Sequence, residues 1–275
     1  MNTYRYKIFD PSGNVTALVM ELVYDPGDRR RIQDAILERH KDVEQVGFIS
    51  EDADLPELWM TGAEFCGNAT RAAAWHYMGG LPGEMKIRVA GVDGELGVGI
   101  DDSLDVWAQM PVLRDKWNMQ RIGEGMRLVE MEGIAHLVVA QRQSAKYLKK
   151  FDADSEMCKE KLKASARELL ERHELFDRDA CGVVFCENVL DLLKIHPCVF
   201  INSAGTAYYE MACGSGSVAV AVAAAFLRGK SVNLPLLQPS MKIIEASVEL
   251  RGGVISEATI RGRISETGGV FELEA

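Results

Sequence analysis

Apolar and polar positions alternate with a strand-like period in several stretches and recur with a helical period in others. The first 24 residues are mostly extended, with a turn at Pro-Ser-Gly-Asn. Strands are predicted at residues 17–23, 46–49 and 58–60, in three runs within 86–109, and from residue 242 onward. The pattern therefore predicts a strand-rich chain with helices between groups of strands.

Two polar stretches have helical spacing. Asp-Pro-Gly-Asp at 25–28 opens a helix that places Ile32, Ala35 and Ile36 on one face. A longer charged helix is predicted over residues 155–173, with four inward-facing positions at Leu162, Ala166, Leu169 and Leu170.

Two further segments differ from the rest of the chain and resemble each other. One reads Glu-Phe-Cys-Gly-Asn-Ala-Thr from residue 64, and the other reads Glu-Met-Ala-Cys-Gly-Ser-Gly-Ser from residue 210. Each continues as an Ala-rich helix that ends at a glycine, Gly79 or Gly229, and Met-Lys-Ile then opens a strand. The two cysteines lie about half a chain apart, so the sequence predicts two similar halves.

Residues 218–227 are apolar on every side of the predicted helix, and such a helix must be buried. We therefore expect an α+β fold in which each half is a curved, mostly antiparallel sheet wrapped around one central apolar helix. The first half is predicted to span residues 1–117, with a final strand at about 263–275 as a candidate to pack back on it. The second half is predicted to span 118–262, with the boundary in the polar residues 114–121.

Composition narrows the possible partners. The 275 residues are 47% apolar and 26% charged, which is an ordinary globular balance. The net charge of −10 argues against nucleic acid or an anionic membrane as partner. No apolar run is long enough to span a membrane.

The six cysteines are expected to be reduced, because the first residues lack the basic start and apolar region of a secretory signal. We therefore expect a cytoplasmic protein. The cysteine spacing does not fit a zinc site. Four cysteines are expected to be small packing residues: Cys158, Cys181, Cys186 and Cys198. His76 is expected to be a core residue, and His136 and His196 are assigned no role.

Cys66 and Cys213 are different, because each directly precedes a helix start and a glycine. The positive end of the helix dipole stabilises a thiolate, and the free N–H groups of the first turn suit a carboxylate. If the two helix starts meet between the halves, two thiols lie on opposite sides of one bound carboxylate. That arrangement suits inversion of a stereocentre, in which one thiolate removes the α-proton and the other thiol supplies one to the opposite face. Neither pyridoxal phosphate nor a metal is required.

The sequence resembles the diaminopimelate epimerase-like superfamily of cofactor-independent amino-acid racemases and epimerases. The resemblance rests on the two Cys-Gly motifs, on Pro-Ser-Gly-Asn at 11–14 and on Glu-Gln-Val-Gly-Phe-Ile at 44–49. Within the superfamily, these strings are similar to those of the histidine racemases of opine-type, staphylopine-like metallophore pathways. The resemblance also implies a homodimer.

Two departures from diaminopimelate epimerases favour a smaller substrate. Residues 59–63 replace their Asn-x-Asp-Gly-Ser loop, and residues 202–210 lack the arginine that holds a second amino-acid head. A smaller amino acid is therefore expected, and the resemblance to histidine racemases favours histidine. The resemblance implies an acid–base pair and a set of substrate contacts: Cys66 and Cys213 as the pair; backbone N–H groups of Gly67, Asn68, Gly214 and Ser215 for the carboxylate; Asn14 near the amine or carboxylate; and Glu44 and Glu210 for the ammonium or a side-chain N–H.

Other functions stay open at this point. The chain could be a diaminopimelate epimerase or a racemase of another amino acid. Isomerases of the phenazine-biosynthesis type share the fold but lack the cysteine pair. A non-catalytic amino-acid-binding protein would keep the carboxylate site but would not need two thiols. Either glutamate could also be a solvated surface charge.

Overall fold

The structure is a computed structural model that describes residues 2–52, 54–111, 119–202 and 205–274. The chain divides into two compact units, residues 1–109 with 261–275, and residues 110–260. The boundary predicted at 117/118 lies outside the described residues. The end of the stretch expected to be irregular is instead a strand, Met119–Gly123.

The elements of the first unit follow the predicted strands and helices, except that the strand predicted at 17–23 ends at Val19. They are β1 (Thr3–Asp10), β2 (Thr16–Val19), α1 (Pro26–Arg39), β3 (Gln45–Ile49), β4 (Glu57–Met60), α2 (Gly67–Tyr77), β5 (Gly83–Val89), β6 (Glu95–Ile100) and β7 (Val106–Gln109).

The second unit has longer strands than the first, together with one amphipathic helix and one apolar helix of more than ten residues each. In order come β8 (Met119–Gly123), β9 (Met126–Met131), β10 (Ile134–Val139), α3 (Gln141–Ser144), α4 (Glu156–Arg172), β11 (Ala180–Val189), β12 (Leu192–Ile201), β13 (Thr206–Tyr209), α5 (Gly214–Arg228), β14 (Val232–Leu237), β15 (Ile243–Arg251) and β16 (Val254–Gly262). The last strand of the chain, β17 (Ser265–Glu274), pairs with β1 of the first unit.

The two units repeat one topology. In the first, the antiparallel pair β1–β2 is followed by α1, then by β3 parallel to β2 and β4 antiparallel to β3, then by α2 and β5 parallel to β4. In the second, the antiparallel pair β9–β10 precedes α4, then come β11 parallel to β10 and β12 antiparallel to β11, then α5 and β14 parallel to β12. The chain is thus an α+β protein of two similar halves, with mostly antiparallel pairing.

Each half has one central helix that contacts strands all around it. Helix α2 contacts β2, β4, β5, β6 and β7, and its first eight residues are buried. Helix α5 contacts β8 to β12, β14 and β15, and it is buried through Ala225 except at Ser215 and Ala224. The predicted all-round burial is wrong at the end of the helix, where Leu227 is 65% exposed because the strands no longer cover this last turn.

A second helix covers the other face of each sheet. Ile32 and Ile36 of α1 pack in one cluster with Tyr6 and Val19, as the amphipathic spacing predicts. The four predicted inward positions of α4 are all buried, against residues of β10, β11 and β12. Each sheet therefore has helices on both faces, and the central one begins at a Cys-Gly motif. Within the described ranges, no helix has the length and apolarity needed to cross a membrane.

Candidate active site

Cys66 and Cys213 cap the amino ends of α2 and α5 with nearly the same backbone geometry. Cys66 has φ −135° and ψ 109°, and Cys213 has φ −124° and ψ 107°. Each Sγ accepts the backbone N–H three residues on, from Ala69 at 3.5 Å and from Gly216 at 3.2 Å. A side chain in the N-cap position satisfies a donor that the helix itself leaves free. The two motifs therefore build the same helix start twice.

The repetition extends to a hydroxyl four residues after each cysteine. Thr70 Oγ1 donates to the carbonyl of Cys66 at 2.8 Å, and Ser217 Oγ donates to the carbonyl of Cys213 at 2.6 Å. The first two residues of each helix, which carry the backbone N–H groups predicted to hold a carboxylate, are Gly67 and Asn68 in α2 and Gly214 and Ser215 in α5. First-turn N–H groups have no acceptor within the helix, and the helix dipole adds positive potential there. Each helix start is therefore suited to binding an anion.

The residue three positions after each cysteine differs between the halves, and the packing explains why. A Cβ placed on Gly216 would lie 3.0 Å from Cys213 Sγ and 3.1 Å from Val184 Cγ2. The first half has Ala69 at this position, and its N–H lies further from the sulfur, at 3.5 Å against 3.2 Å. Gly216 therefore permits the shorter contact at Cys213.

Gln45, the first residue of β3, contacts the Cys66 thiol with both ends of its amide. Nε2 lies 3.3 Å and Oε1 lies 3.4 Å from Sγ, and Nε2 also donates to Thr16 Oγ1 at 2.7 Å. A thiolate can accept from Nε2–H, and a thiol can donate to Oε1. The half-buried Cys66 therefore has a hydrogen-bond partner in either protonation state.

A chain of side-chain hydrogen bonds joins the other candidate residues of the first half. Arg71 Nη2 donates to Asn68 Oδ1 at 2.8 Å, Asn68 Nδ2 to Asn14 Oδ1 at 3.4 Å, and Asn14 Nδ2 to Glu44 Oε2 at 2.8 Å. Arginine only donates and an ionised carboxylate only accepts, so the two ends fix which way both amides point. The structure thus brings together three predicted substrate contacts and one residue that the sequence analysis did not single out.

Arg71 also carries a charge that acts on Cys66. The side chain is fully buried, and burial lowers the pKa of the guanidinium to about 10, whereas attraction to Cys66, Asp105 and Asp10 opposes that shift. It remains a cation at neutral pH. Its Nε and Nη1 atoms have no hydrogen-bond partner in the described part of the chain. Because this cation attracts the thiolate of Cys66, it favours the ionised form of that thiol.

Cys213 has a more enclosed and more acidic environment. Its residue is 1% exposed, and burial raises the pKa of the thiol well above its ordinary value. The charge of Glu210 and a hydrogen bond to its carboxylate raise that pKa further, whereas hydrogen bonds from Ser215 and from the Gly216 N–H lower it. The structure therefore brings the predicted residues Glu210, Cys213 and Ser215 together, and the carboxylate favours the protonated thiol.

Ser215 links Cys213 to a buried histidine. Its Oγ lies 3.5 Å from Cys213 Sγ and 2.9 Å from His136 Nε2. His136 is 0% exposed, and burial lowers the pKa of its imidazole to about 4, so the ring is neutral at pH 7. The sequence indicates no role for His136, and its contact with the motif is seen only in the structure.

Gln238 fixes the backbone at the second cysteine. Its Oε1 accepts the N–H of Cys213 at 3.0 Å, and its Nε2 donates to Ser217 Oγ at 3.1 Å and to the Leu236 carbonyl at 3.1 Å. All these atoms are buried. The loop before α5 is therefore held by a fully hydrogen-bonded amide.

The remaining cysteines pack in the interior or beside α4. Cys181 and Cys198 belong to the cluster under α4, and burial raises the pKa of Cys181 to about 11 and that of Cys198 above its ordinary value. Burial also raises the pKa of Cys186 to about 12, and Cys158 on α4 is half-buried. These thiols have the surroundings of packing residues.

His76 and His196 contact residues outside the two Cys-Gly strings. His76 is half-buried with its ring edge against Phe9, and burial lowers its pKa. His196 is buried between Tyr209 and Glu187, at 2.8 Å from each. The described residues contain no group of three or more His, Cys, Asp or Glu that could hold a metal ion.

Four residues of the two networks were missed by the sequence analysis: Gln45, Arg71, His136 and Gln238. Gln45 lies inside the string at 44–49, and Arg71 directly follows the first Cys-Gly string, so their positions in the sequence could have identified them. The last two lie on strands or in loops far along the chain, and only the fold brings them to the motif.

Comparison with known proteins places these features in a family. The family model "Histidine racemase CntK N-terminal domain" matches residues 4–271. A histidine racemase of Fusobacterium nucleatum is 25% identical over 225 residues, covering 77% of this chain and 77% of that protein. A histidine racemase of Staphylococcus aureus is 25% identical over 226 residues, covering 78% and 77%.

Solved structures share the fold at low sequence identity. A hydroxyproline epimerase from Agrobacterium vitis has a TM-score of 0.64 at 14% identity, over 99% of this chain and 91% of that one. A phenazine biosynthesis protein of the PhzF family from Enterococcus faecalis has a TM-score of 0.62 at 14% identity, over all of both chains. The shared architecture is that of two similar halves.

Proposed function

Because the chain belongs to the histidine racemase family described by that model, we propose that it interconverts L-histidine and D-histidine by a cofactor-free, two-cysteine mechanism. As a member of this family the chain is an isomerase of the racemase and epimerase type. The observation that carries the mechanism is the repeated helix start, in which Cys66 and Cys213 have the same capping geometry and the same hydrogen bond to Sγ.

The proposed reaction moves one proton off the α-carbon and another onto it. The thiolate of one cysteine takes the α-proton, so that a C–H bond breaks and an S–H bond forms, and the electron pair remains on the substrate. The thiol of the other cysteine then gives its proton to the opposite face of the same carbon. The product has inverted configuration, and the two cysteines have exchanged protonation states. Reaction in the other direction uses the same groups with their roles reversed.

The α-carboxylate is proposed to bind the first-turn backbone N–H groups of Gly67, Asn68, Gly214 and Ser215. As the α-proton leaves, negative charge spreads onto the carboxylate oxygens. N–H donors that are already in place stabilise this charge without reorganising, which lowers the barrier. Cys66 lies beside a buried cation and Cys213 beside two hydrogen-bond donors, so each has support for its thiolate form.

The polar ends of the substrate are proposed to meet the two carboxylates and an amide. Glu210 is half-buried next to Cys213, and Glu44 is exposed but held by Asn14. A carboxylate accepts hydrogen bonds from an ammonium or from an imidazole N–H, which is what a histidine substrate offers. The names of the curated relatives support histidine as the substrate.

The wider setting is part of the proposal. We expect a cytoplasmic homodimer that uses no pyridoxal phosphate and no metal, and that supplies D-histidine to an opine-type metallophore pathway. Nucleic acid and membrane are not expected partners, given the net charge of −10 and the absence of a long apolar run in the sequence.

Chiral chromatography tests the reaction directly. The purified protein is incubated with each L-amino acid separately in deuterated buffer containing a chelator. L-histidine should approach a 1:1 mixture of enantiomers, and the D-histidine formed should carry solvent deuterium at the α-carbon. The Cys66→Ser/Cys213→Ser double variant is the matched control and should be inactive. Inversion of a different amino acid would correct the substrate, and inversion only with added pyridoxal phosphate or metal would contradict the mechanism.

A further inference from the structure

The buried imidazole of His136 is linked to Cys213 through one hydroxyl group, that of Ser215. It lies on β10 with 0% exposure, and α5 packs across β10 so that Ser215 comes within 2.9 Å of Nε2. Its register partner on the parallel strand β11 is Gly182. A Cβ at that glycine would lie 2.5 Å from His136 Nδ1, so the absence of a side chain there makes room for the ring.

The hydrogen-bond pattern fixes where the proton of this ring lies. At neutral pH the imidazole is uncharged and carries a single N–H, because burial lowers the pKa of His136 to about 4. Nδ1 is buried without a hydrogen-bond partner in the ranges that the structure describes. A buried donor left unpaired is rarer than a buried acceptor left unpaired, so the proton belongs on Nε2, facing Ser215.

We propose that His136 is a positioning residue for Cys213, whose Nε2–H holds the Ser215 hydroxyl so that the hydroxyl hydrogen points at the Cys213 thiolate. With the serine oxygen already accepting from the imidazole, its own O–H is free to donate to Sγ at 3.5 Å. The imidazole donates to the hydroxyl, and the hydroxyl donates to the sulfur.

This series of hydrogen bonds acts on the Cys213 thiol in the opposite direction to the Glu210 carboxylate. The groups that act on Cys213 are Glu210, from the loop before α5, and Ser215 and the Gly216 N–H, from the helix itself. Glu210 stabilises the protonated thiol, and the oriented hydroxyl stabilises the thiolate. Under the proposed function, on which this consequence rests, Cys213 must exist in both forms during each cycle. His136 keeps the thiolate form accessible in a nearly dry site.

The rate at which iodoacetamide alkylates Cys213 at pH 8 measures this effect without turnover. The rate is followed by mass spectrometry of the Cys213 peptide, with Cys66 in the same sample as internal reference. Only the thiolate reacts, so losing the oriented hydroxyl should slow alkylation of Cys213 about tenfold, which corresponds to one pH unit in its titration. A merely structural loss of packing would expose the thiol and speed its alkylation.

Matched variants test the two hydrogen bonds, His136–Ser215 and Ser215–Cys213, separately. Ser215→Ala and His136→Leu should each slow alkylation of Cys213, and the double variant should be no slower than Ser215→Ala alone. His136→Gln keeps an N–H donor toward Ser215, and it should stay within about twofold of the native rate of Cys213 alkylation. Racemisation kcat/KM should follow the same order. Ser144→Ala, which removes another buried hydroxyl of this unit that bonds the Val139 carbonyl, is the control and should leave Cys213 reactivity unchanged.

The outcomes are separable from those of the proposed function. If the native protein inverts no amino acid, the proposed function fails, and the alkylation rates still decide whether His136 acts on Cys213. Folded His136→Leu protein with native or faster alkylation of Cys213, or additive effects in the double variant, would overturn the inference. If His136→Leu does not fold, His136→Asn, which is too short to reach Ser215, takes its place with the same expectation.

Discussion

Replacing Gly216 by alanine tests the packing beside the Cys213 sulfur. The added Cβ would lie 3.0 Å from Cys213 Sγ and 3.1 Å from Val184 Cγ2, both shorter than ordinary carbon contacts. Val184 is buried on β11 and cannot move freely, so the sulfur must shift by several tenths of an ångström. The Gly216→Ala variant therefore tests whether the position of Sγ is set by this packing.

Two opposing effects determine its stability. Overpacking a buried site costs about 1–3 kcal/mol, and alanine is better than glycine within a helix by about 1 kcal/mol. The net loss is about 0–2 kcal/mol, and each kcal/mol lowers Tm by about 2–4 °C in a chain of this size. The protein should stay folded. Misplacing a reacting group by about 1 Å costs roughly a hundredfold in rate, so a shift of about half that distance should lower kcat/KM about tenfold.

The assay compares histidine racemisation by chiral chromatography with thermal unfolding on the same samples. Gly269→Ala is the control, because a Cβ there would meet no atom within 4 Å. It should change neither kcat/KM nor Tm appreciably. A Gly216→Ala protein that racemises at the native rate would refute the reasoning, since the sulfur would then have room that the structure denies it.

Four further results are expected. In deuterated water, Cys66→Ser and Cys213→Ser should each abolish racemisation while exchanging the α-proton of one enantiomer slowly, with opposite enantiomers in the two variants; a native rate in either would show that this cysteine only packs. Arg71→Met should raise KM or lower kcat by about tenfold, because the amide of Asn68 loses its fixed orientation and Cys66 loses a nearby cation, whereas unchanged kinetics would contradict that role. The pKa of His136 falls from 6.5 to about 4 on folding, so its contribution to stability is present above pH 6.5 and is lost as pH falls toward 4. Between pH 7 and 5, the free energy of unfolding in urea should therefore fall by about 2 kcal/mol more for the native protein than for His136→Gln. Light scattering at micromolar concentration should give twice the mass of one chain, and a monomer would contradict the proposed homodimer.

Local sequence patterns predict the helix starts well, because the capping residue and the first turn lie within a few positions of each other. Strands are harder where a proline interrupts them. Pro197 lies inside β12 and Pro235 inside β14, and a proline in a run argues against a paired strand. The pattern therefore does not predict β14, although it pairs with both β12 and β15.

In the candidate site, too, residues within one local string are predictable and residues brought together by the fold are not. Cys66, Cys213 and their following residues are visible in the sequence because they form a repeated string. His136 reaches Ser215, and Gln238 reaches the Cys213 backbone, only through the packing of α5 on the sheet. A single buried histidine in a strand carries no local signal that separates a core residue from one that contacts a motif, so its role follows only from the fold.

The repeated helix starts have different neighbours, and thermodynamics limits what that difference can do. Two enantiomers have equal free energy in water, so under the proposed function kcat/KM must be equal in both directions, whatever surrounds each thiol. The difference can still change kcat and KM together in each direction, and it can change where the proton rests in the free enzyme. Arg71 favours a thiolate at Cys66, and Glu210 favours a thiol at Cys213. The free enzyme should therefore rest with its proton on Cys213, ready for the enantiomer whose α-hydrogen Cys66 removes. The oriented hydroxyl of Ser215 then limits how strongly that resting form is preferred, which keeps the opposite form populated enough for the reverse reaction.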